Sequence, residues 1–162
     1  MLNWVKLFFP ILIFLILPGW STAQPESKKV FYESLAAADV DIISKEIQKQ
    51  EADNSNASQA YIGALMMKKA GLLKNPVNKL KEFRGGREKL EAAISTEPDN
   101  TEFKMLRLMT QENAPSFLGY NKNLEEDGQW LRDHYKKLEP SVLKVLISYS
   151  KSSSILKPTD FK

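Results

Sequence analysis

Prolines at positions 76, 98, 115 and 140 divide the chain into stretches whose apolar residues recur every three or four positions. A proline ends a helix or opens one, because its ring fixes φ and removes an amide donor. Apolar residues at that spacing line one side of a helix. No run of alternating β-branched residues offers a strand. Past its first twenty-odd residues the chain is therefore expected to be all-α, built as antiparallel helix pairs in an array of about six helices.

A first short segment, Val30 to Ala38, has Phe31, Ser34, Leu35 and Ala38 on one face. Asp39 can cap a second helix carrying Val40, Ile43 and Ile47. The turn cluster D-N-S-N at 53–56 offers Ser55 or Asn56 as the next cap. The third helix, Ala57 to about Ala70, has Ala60, Gly63, Ala64 and Met67 on one side, small enough for a neighbour to approach closely, and Gly71 is placed to end it. Asn75-Pro76 opens a fourth helix whose expected buried side is Val77, Leu80, Phe83, Leu90, Ala93 and Ile94. Gly85-Gly86 in its middle costs about 1 kcal/mol per Gly relative to Ala. A helix break or a tight crossing would explain the pair, and the crossing is favoured.

Glu97-Pro98 stops that helix, and Asp99 with Glu102 resembles a capping box for a fifth. Phe103, Leu106 and Thr110 mark one face of the fifth helix; Met105, Leu108 and Met109 mark others. A helix apolar on most sides is central in its domain. Pro115 ends it. Asn123 with Glu126 repeats the capping-box pattern ahead of Leu124, Leu131, Tyr135 and Leu138. Pro140 opens a last helix with Leu143, Leu146 and Ile147, and the stretch KSSSILKPTDFK after it has no periodicity. Three parts are expected: a signal peptide at 1–23, a helical domain at 24–150 and a flexible tail at 151–162.

The signal reading rests on Lys6, the apolar run Leu7 to Leu17 and the small residues Ser21-Thr22-Ala23. A membrane-spanning helix needs about 20 apolar residues, and this run is shorter. Cleavage after Ala23 is expected; an uncleaved anchor is the alternative. No Cys occurs, so neither a lipoprotein anchor nor a disulfide framework can form. Removing Lys6 from the 23 Lys and Arg leaves 22 against 20 acidic residues, a net of +2. That balance is too even to imply nucleic acid or an anionic surface as partner.

Gly86, Leu90, Ala93 and Pro98 match the spacing of small, large, small and proline residues in the second helix of a tetratricopeptide repeat. Gly63 and Ala64 fall about ten positions too early for the first half of a 34-residue unit. The chain thus resembles a tetratricopeptide-like array with degenerate, longer repeats. The segments FRGGREKLEAAI, PDNTEFKMLR, QENAPSFLGY and EED, within a span from about Leu35 to Leu138, resemble a family of small exported bacterial proteins. That resemblance implies an all-α, tetratricopeptide-like fold and export in Gram-negative bacteria, with the periplasm as destination. It carries no activity, so no functional residue is transferred from it.

His134 is the only histidine. With no second His and no Cys, the common zinc ligand sets cannot be built, and no cofactor is implied. A hydrolase triad would have to use His134, and no G-x-S-x-G element exists. Glu33-Ser34 resembles the Glu-Ser of lytic transglycosylases, but the downstream G-L-M-Q-type element is missing; a solvated Glu33 is the plainer reading. Glu125-Glu126-Asp127 are consecutive on a helix, point apart and fit helix-start charge better than a metal site. Gly85-Gly86-Arg87 lacks the pattern of a phosphate loop.

Polar residues bunch without an obvious local need only around the end of the fifth helix. Arg107 and Gln111 share a helix face, Asn113 precedes Pro115, and Tyr120 follows Gly119. One reading is a helix-to-helix corner in which these residues satisfy orphan backbone groups and Arg107 pairs with Glu126 or Asp127. The other is a groove in which Arg107, Gln111, Asn113 and Tyr120 contact a ligand. The expected function is non-catalytic binding or scaffolding of an unknown protein or peptide partner, without nucleic acid, meeting the membrane only through the signal segment. The alternative is a small cell-envelope enzyme such as a glycan-acting hydrolase or lyase.

Overall fold

The computed structural model describes residues 24–162; the expected signal peptide lies outside the described residues. Seven α-helices follow one another: α1 (Gln24–Ala36), α2 (Val40–Gln50), α3 (Asn56–Leu72), α4 (Pro76–Thr96), α5 (Thr101–Asn113), α6 (Leu124–His134) and α7 (Pro140–Tyr149). The fold is all-α, a helix array of the size expected. Among the described residues no helix is long and apolar enough to cross a membrane.

Three helix starts lie where short polar side chains put them. Asp39 Oδ1 accepts the amides of Asp41 and Ile42. Ser55 Oγ accepts that of Ser58. Asn75 Oδ1 accepts those of Val77 and Asn78 ahead of Pro76. Each satisfies amides that the first turn leaves open. The fifth start differs by one residue: Asn100, not Asp99, accepts the amides of Glu102 and Phe103. Asp99 lies too early, because a capping oxygen has to sit immediately before the first helical residue. Asn123 makes no capping bond to α6; it donates to the Glu126 carboxylate at 3.1 Å instead.

Helix α5 is the centre. All six residues from Phe103 to Leu108 are buried, Lys104 and Arg107 among them. Phe31, Ile43, Leu65, Leu90, Leu131 and Leu146 of the other helices belong to the same buried core. The tightest contact is the α3–α4 hairpin, where Gly63 faces Gly86. A Cβ on Gly63 would lie 2.6 Å from the Gly86 carbonyl oxygen and 2.7 Å from the Leu90 amide nitrogen. The Gly85-Gly86 pair therefore marks a crossing and not a break, since α4 runs unbroken through it.

Two further expectations are corrected. Val77 and Leu80 are exposed, not part of the buried side of α4. At about 100° per residue, Val77 stands half a turn away from Gly86, so the helix cannot bury both against α3. The stretch 151–162 is packed, not loose. Leu156 and Phe161 are buried, and Pro158–Phe161 forms a short 3-10 turn. Ile155 sits where a Cβ on Gly128 would come within 2.5 Å of it. The Arg132 guanidinium donates to the Ile155 carbonyl at 2.8 Å, and Phe161 packs edge-on to Tyr135. Each apolar residue docks singly, which leaves no periodic trace in the sequence.

Candidate functional site

Helix α5 carries Arg107 into the space between α4 and α6. Its Nε and Nη2 donate to the two carboxylate oxygens of Asp127, both at 2.7 Å. Its Nη1 donates to Glu91 Oε2 at 3.2 Å. The other oxygen of Glu91 accepts the Tyr120 hydroxyl at 2.6 Å. Arg87 lies over the Tyr120 ring, 4.9 Å from its centroid, and Phe83 meets the same ring edge-on. One turn further along α5, the Gln111 amide donates to Asn123 Oδ1 at 3.3 Å, and its oxygen accepts the Asn123 backbone amide at 3.2 Å.

Arg107, Gln111 and Tyr120 are therefore gathered into one corner that joins α4, α5 and α6. Asn113 is not part of it. That residue is exposed, with its side-chain amide donated back to the Met109 carbonyl, one turn earlier on α5, at 2.8 Å. Of the two acids expected to meet Arg107, the chain uses Asp127. Asp127 shares the inner face of α6 with Leu124, Gly128 and Leu131 and is 0% exposed, whereas Glu126 points to solvent. Glu91 was not foreseen. Its only sequence trace is its place four residues after Arg87, which fits any surface pair equally well.

The electrostatics of the corner match a joint. Burial works against charge on Arg107, but bonding to Asp127 and the nearby Glu91 outweigh it and hold its pKa above the ordinary value. Burial pushes the Asp127 carboxyl up from its ordinary range, against the pull of Arg107 and Lys104. The Tyr120 phenol is raised by burial and by its bond to Glu91, so it remains a donor at any physiological pH. Among the described residues no buried side-chain nitrogen or oxygen lacks a partner.

A second joint ties the other side of the array. Glu102 Oε1 accepts the hydroxyls of Tyr32 and Tyr61, each at 2.9 Å. Lys28 bridges Glu102 and Glu139 at 2.9 and 2.8 Å. Burial and the facing Glu102 raise both phenols. The partners come from four segments far apart in sequence, which is why no local pattern announces them.

The isolated candidates find ordinary places. His134 Nδ1 lies 3.0 Å from the Trp130 carbonyl, and its ring stacks on Trp130 with centroids 4.0 Å apart. Among the described residues no three His, Asp or Glu side chains converge to hold a metal ion. Glu33 is exposed on α1, at the edge of an open groove of about 510 Å³ between α1, α5 and α7. Tyr32 and Met109 form part of its floor, and Ser141, Val145 and Ser148 bring one face of α7 to it.

Glu112, at the end of α5, fastens the C-terminal stretch. Its carboxylate accepts the hydroxyls of Tyr149, Ser153 and Ser154 and the Ser154 amide, all at 2.7 Å. Partial burial opposes its charge, but these donors hold its pKa below the ordinary 4.5. A carboxylate lowered on folding stabilises above its unfolded pKa, and that stabilisation is lost as pH falls through the lowered folded value. Glu112→Ala is expected to free residues 151–162 at neutral pH at a cost of about 1–2 kcal/mol, modest because the site is partly solvated. In the parent the same release is expected only below about pH 4.5. The amide resonance of Ser154, followed as pH is lowered in both proteins, reads the two cases.

No family model matches this chain, and no curated protein or solved structure matches it either.

Proposed function

We propose that this chain is an exported, non-catalytic binding or scaffolding protein of the Gram-negative periplasm, with a tetratricopeptide-like helix array that seats an extended segment of a protein partner between α1 and α7. One contrast carries the reading. The polar groups of Arg107, Gln111 and Tyr120 are spent on Glu91, Asp127 and Asn123. In the groove, the side chains of Lys29, Glu33, Ser141 and Ser148 make no hydrogen bond or ion pair within the described residues. They stand beside Met109 and Val145. Apolar floor with free donors and acceptors at its edges suits a peptide backbone and its side chains.

Glu33 in the same groove keeps the envelope-enzyme reading open to test. A glycan-cleaving general acid works from a desolvated carboxyl, and Glu33 is exposed.

The test is site-specific photocrosslinking in the exported protein. A photoreactive residue at Val145 is expected to give discrete protein adducts, and one at Lys122, which is exposed and does not line the groove, none. Equal labelling at both positions would contradict the groove. A peptidoglycan-cleaving activity of the parent that Glu33→Gln abolishes would replace binding with catalysis.

A further inference from the structure

The end of the α3–α4 hairpin presents two features that the groove does not use. The first is apolar. Residues 74–81 are exposed without interruption, although they include Pro76, Val77 and Leu80. Val77 is 72% exposed. Val77, Leu80, Lys81 and Arg84 follow at i, i+3, i+4 and i+7 and so share one face of α4. That face borders an open hollow of about 760 Å³, with Met66 of α3 on its other side.

The second is charge. No acidic residue occurs from Asn54 to Lys81, a stretch that holds Lys68, Lys69, Lys74, Lys79 and Lys81. Arg84, Arg87 and Lys89 follow, with Glu82 before them and Glu88 among them. Residues 66–89 thus carry eight basic and two acidic side chains, +6, while residues 24–162 total +2; the remainder is at −4. The near-neutral sum hides a strongly polarised surface. Internal pairing removes little of it. Lys69 meets Glu82 at 3.1 Å, and Lys89 donates to Gln59. Lys74, Lys79, Lys81 and Arg84 are exposed and form no ion pair among the described residues.

We propose that this hairpin end docks on an anionic phospholipid bilayer, with Val77 and Leu80 entering the headgroup boundary and the surrounding lysines facing lipid phosphates. Val77 and Leu80 are flanked in sequence by Lys74, Lys79 and Lys81, while Glu82 and Glu88 also line the hollow; aliphatic residues flanked by lysines are the composition of an interfacial membrane contact. Other partners fit less well. Lysine is depleted in protein–protein interfaces, where Arg and aromatic residues are enriched. Single-stranded nucleic acid is gripped by aromatic stacking, and residues 66–82 contain no aromatic side chain.

The test is co-sedimentation of residues 24–162, which contain the whole described core, with phosphatidylcholine vesicles lacking or containing phosphatidylglycerol. Binding is expected only to the anionic vesicles and should fall steeply with added salt. Each lysine near such a surface contributes about fivefold in partitioning. Lys79→Gln with Lys81→Gln is therefore expected to weaken binding about 25-fold. Val77→Asp should weaken it further. Lys136→Gln with Lys137→Gln, which lie outside residues 66–89 and do not line the hollow, should leave it unchanged. All five positions are exposed, so melting temperatures should stay at the parental value. Equal binding to neutral vesicles, or equal loss in the Lys136/Lys137 control, would overturn the proposal. So would no vesicle binding together with retention on an acidic peptide, or self-association that Val77→Asp abolishes.

Discussion

Gly63→Ala is expected to destabilise this protein by about 3 kcal/mol or more, at the upper end of what overpacking costs. The added methyl group would lie 2.6 Å from the Gly86 carbonyl oxygen and 2.7 Å from the Leu90 amide nitrogen. Both are backbone atoms of an unbroken helix, so no rotamer change can relieve the contact. Gly86→Leu meets the same obstacle from the other side, with the Gly63 carbonyl at 2.6 Å and Met66 Cβ at 2.9 Å. For a domain of this size the loss corresponds to roughly 10 °C in melting temperature. Gly85→Ala is the control. Its Cβ would meet only the end of the flexible Met66 side chain, at 3.1 Å. Replacing a mid-helix glycine also gains up to about 1 kcal/mol, so Gly85→Ala is expected to be neutral or stabilising. Thermal melts of the three variants check the crossing; a parental melt for Gly63→Ala would mean that α3 and α4 do not meet there.

Arg107→Ala should cost about 3–5 kcal/mol, because it leaves the buried Asp127 carboxylate without its bidentate partner. Arg107→Lys recovers only part of this, since one ammonium cannot hold both oxygens in the planar fork. Replacing both partners, Arg107→Met with Asp127→Leu, is expected to be far milder than Arg107→Ala alone. A buried ion pair is worth little against apolar residues of similar volume, while half a pair is costly. Denaturant titrations of the single and double variants distinguish this joint from an exposed ion pair, for which each change would cost about 0–1 kcal/mol.

The helix array was legible in the sequence because its signals are local. Asp39, Ser55 and Asn75 act on amides two or three residues away, Pro76 fixes the backbone angle of its own residue, and Phe103 to Leu108 is apolar enough to declare a central helix. Gly86 was legible as a crossing because it takes the first small position of a small–large–small pattern with Leu90 and Ala93 at helical spacing. Where the reading failed, the cause was distance or aperiodicity. Leu156 and Phe161 dock one at a time, so no period announces them. Val77 and Leu80 looked like core because they are apolar, but among the described residues no second helix covers them. Arg107 was expected to find Glu126 or Asp127, yet its second acid, Glu91, comes from another helix. The basic hairpin end was hidden by summing charge over the whole chain.

The central claim is that the polar corner around Arg107 holds the array together while partner capture belongs to the groove between α1 and α7. It is tested most directly by measuring capture and stability in the same two variants. Val145→Trp should melt like the parent, because Val145 is only partly buried at the groove edge, and should lose the adducts formed by a photoreactive residue at Ser148. Arg107→Ala, studied below its lowered melting temperature, should keep those adducts. The opposite result, a parental melt with capture lost in Arg107→Ala and capture retained in Val145→Trp, would contradict the account and place the functional site at residues 107 to 120.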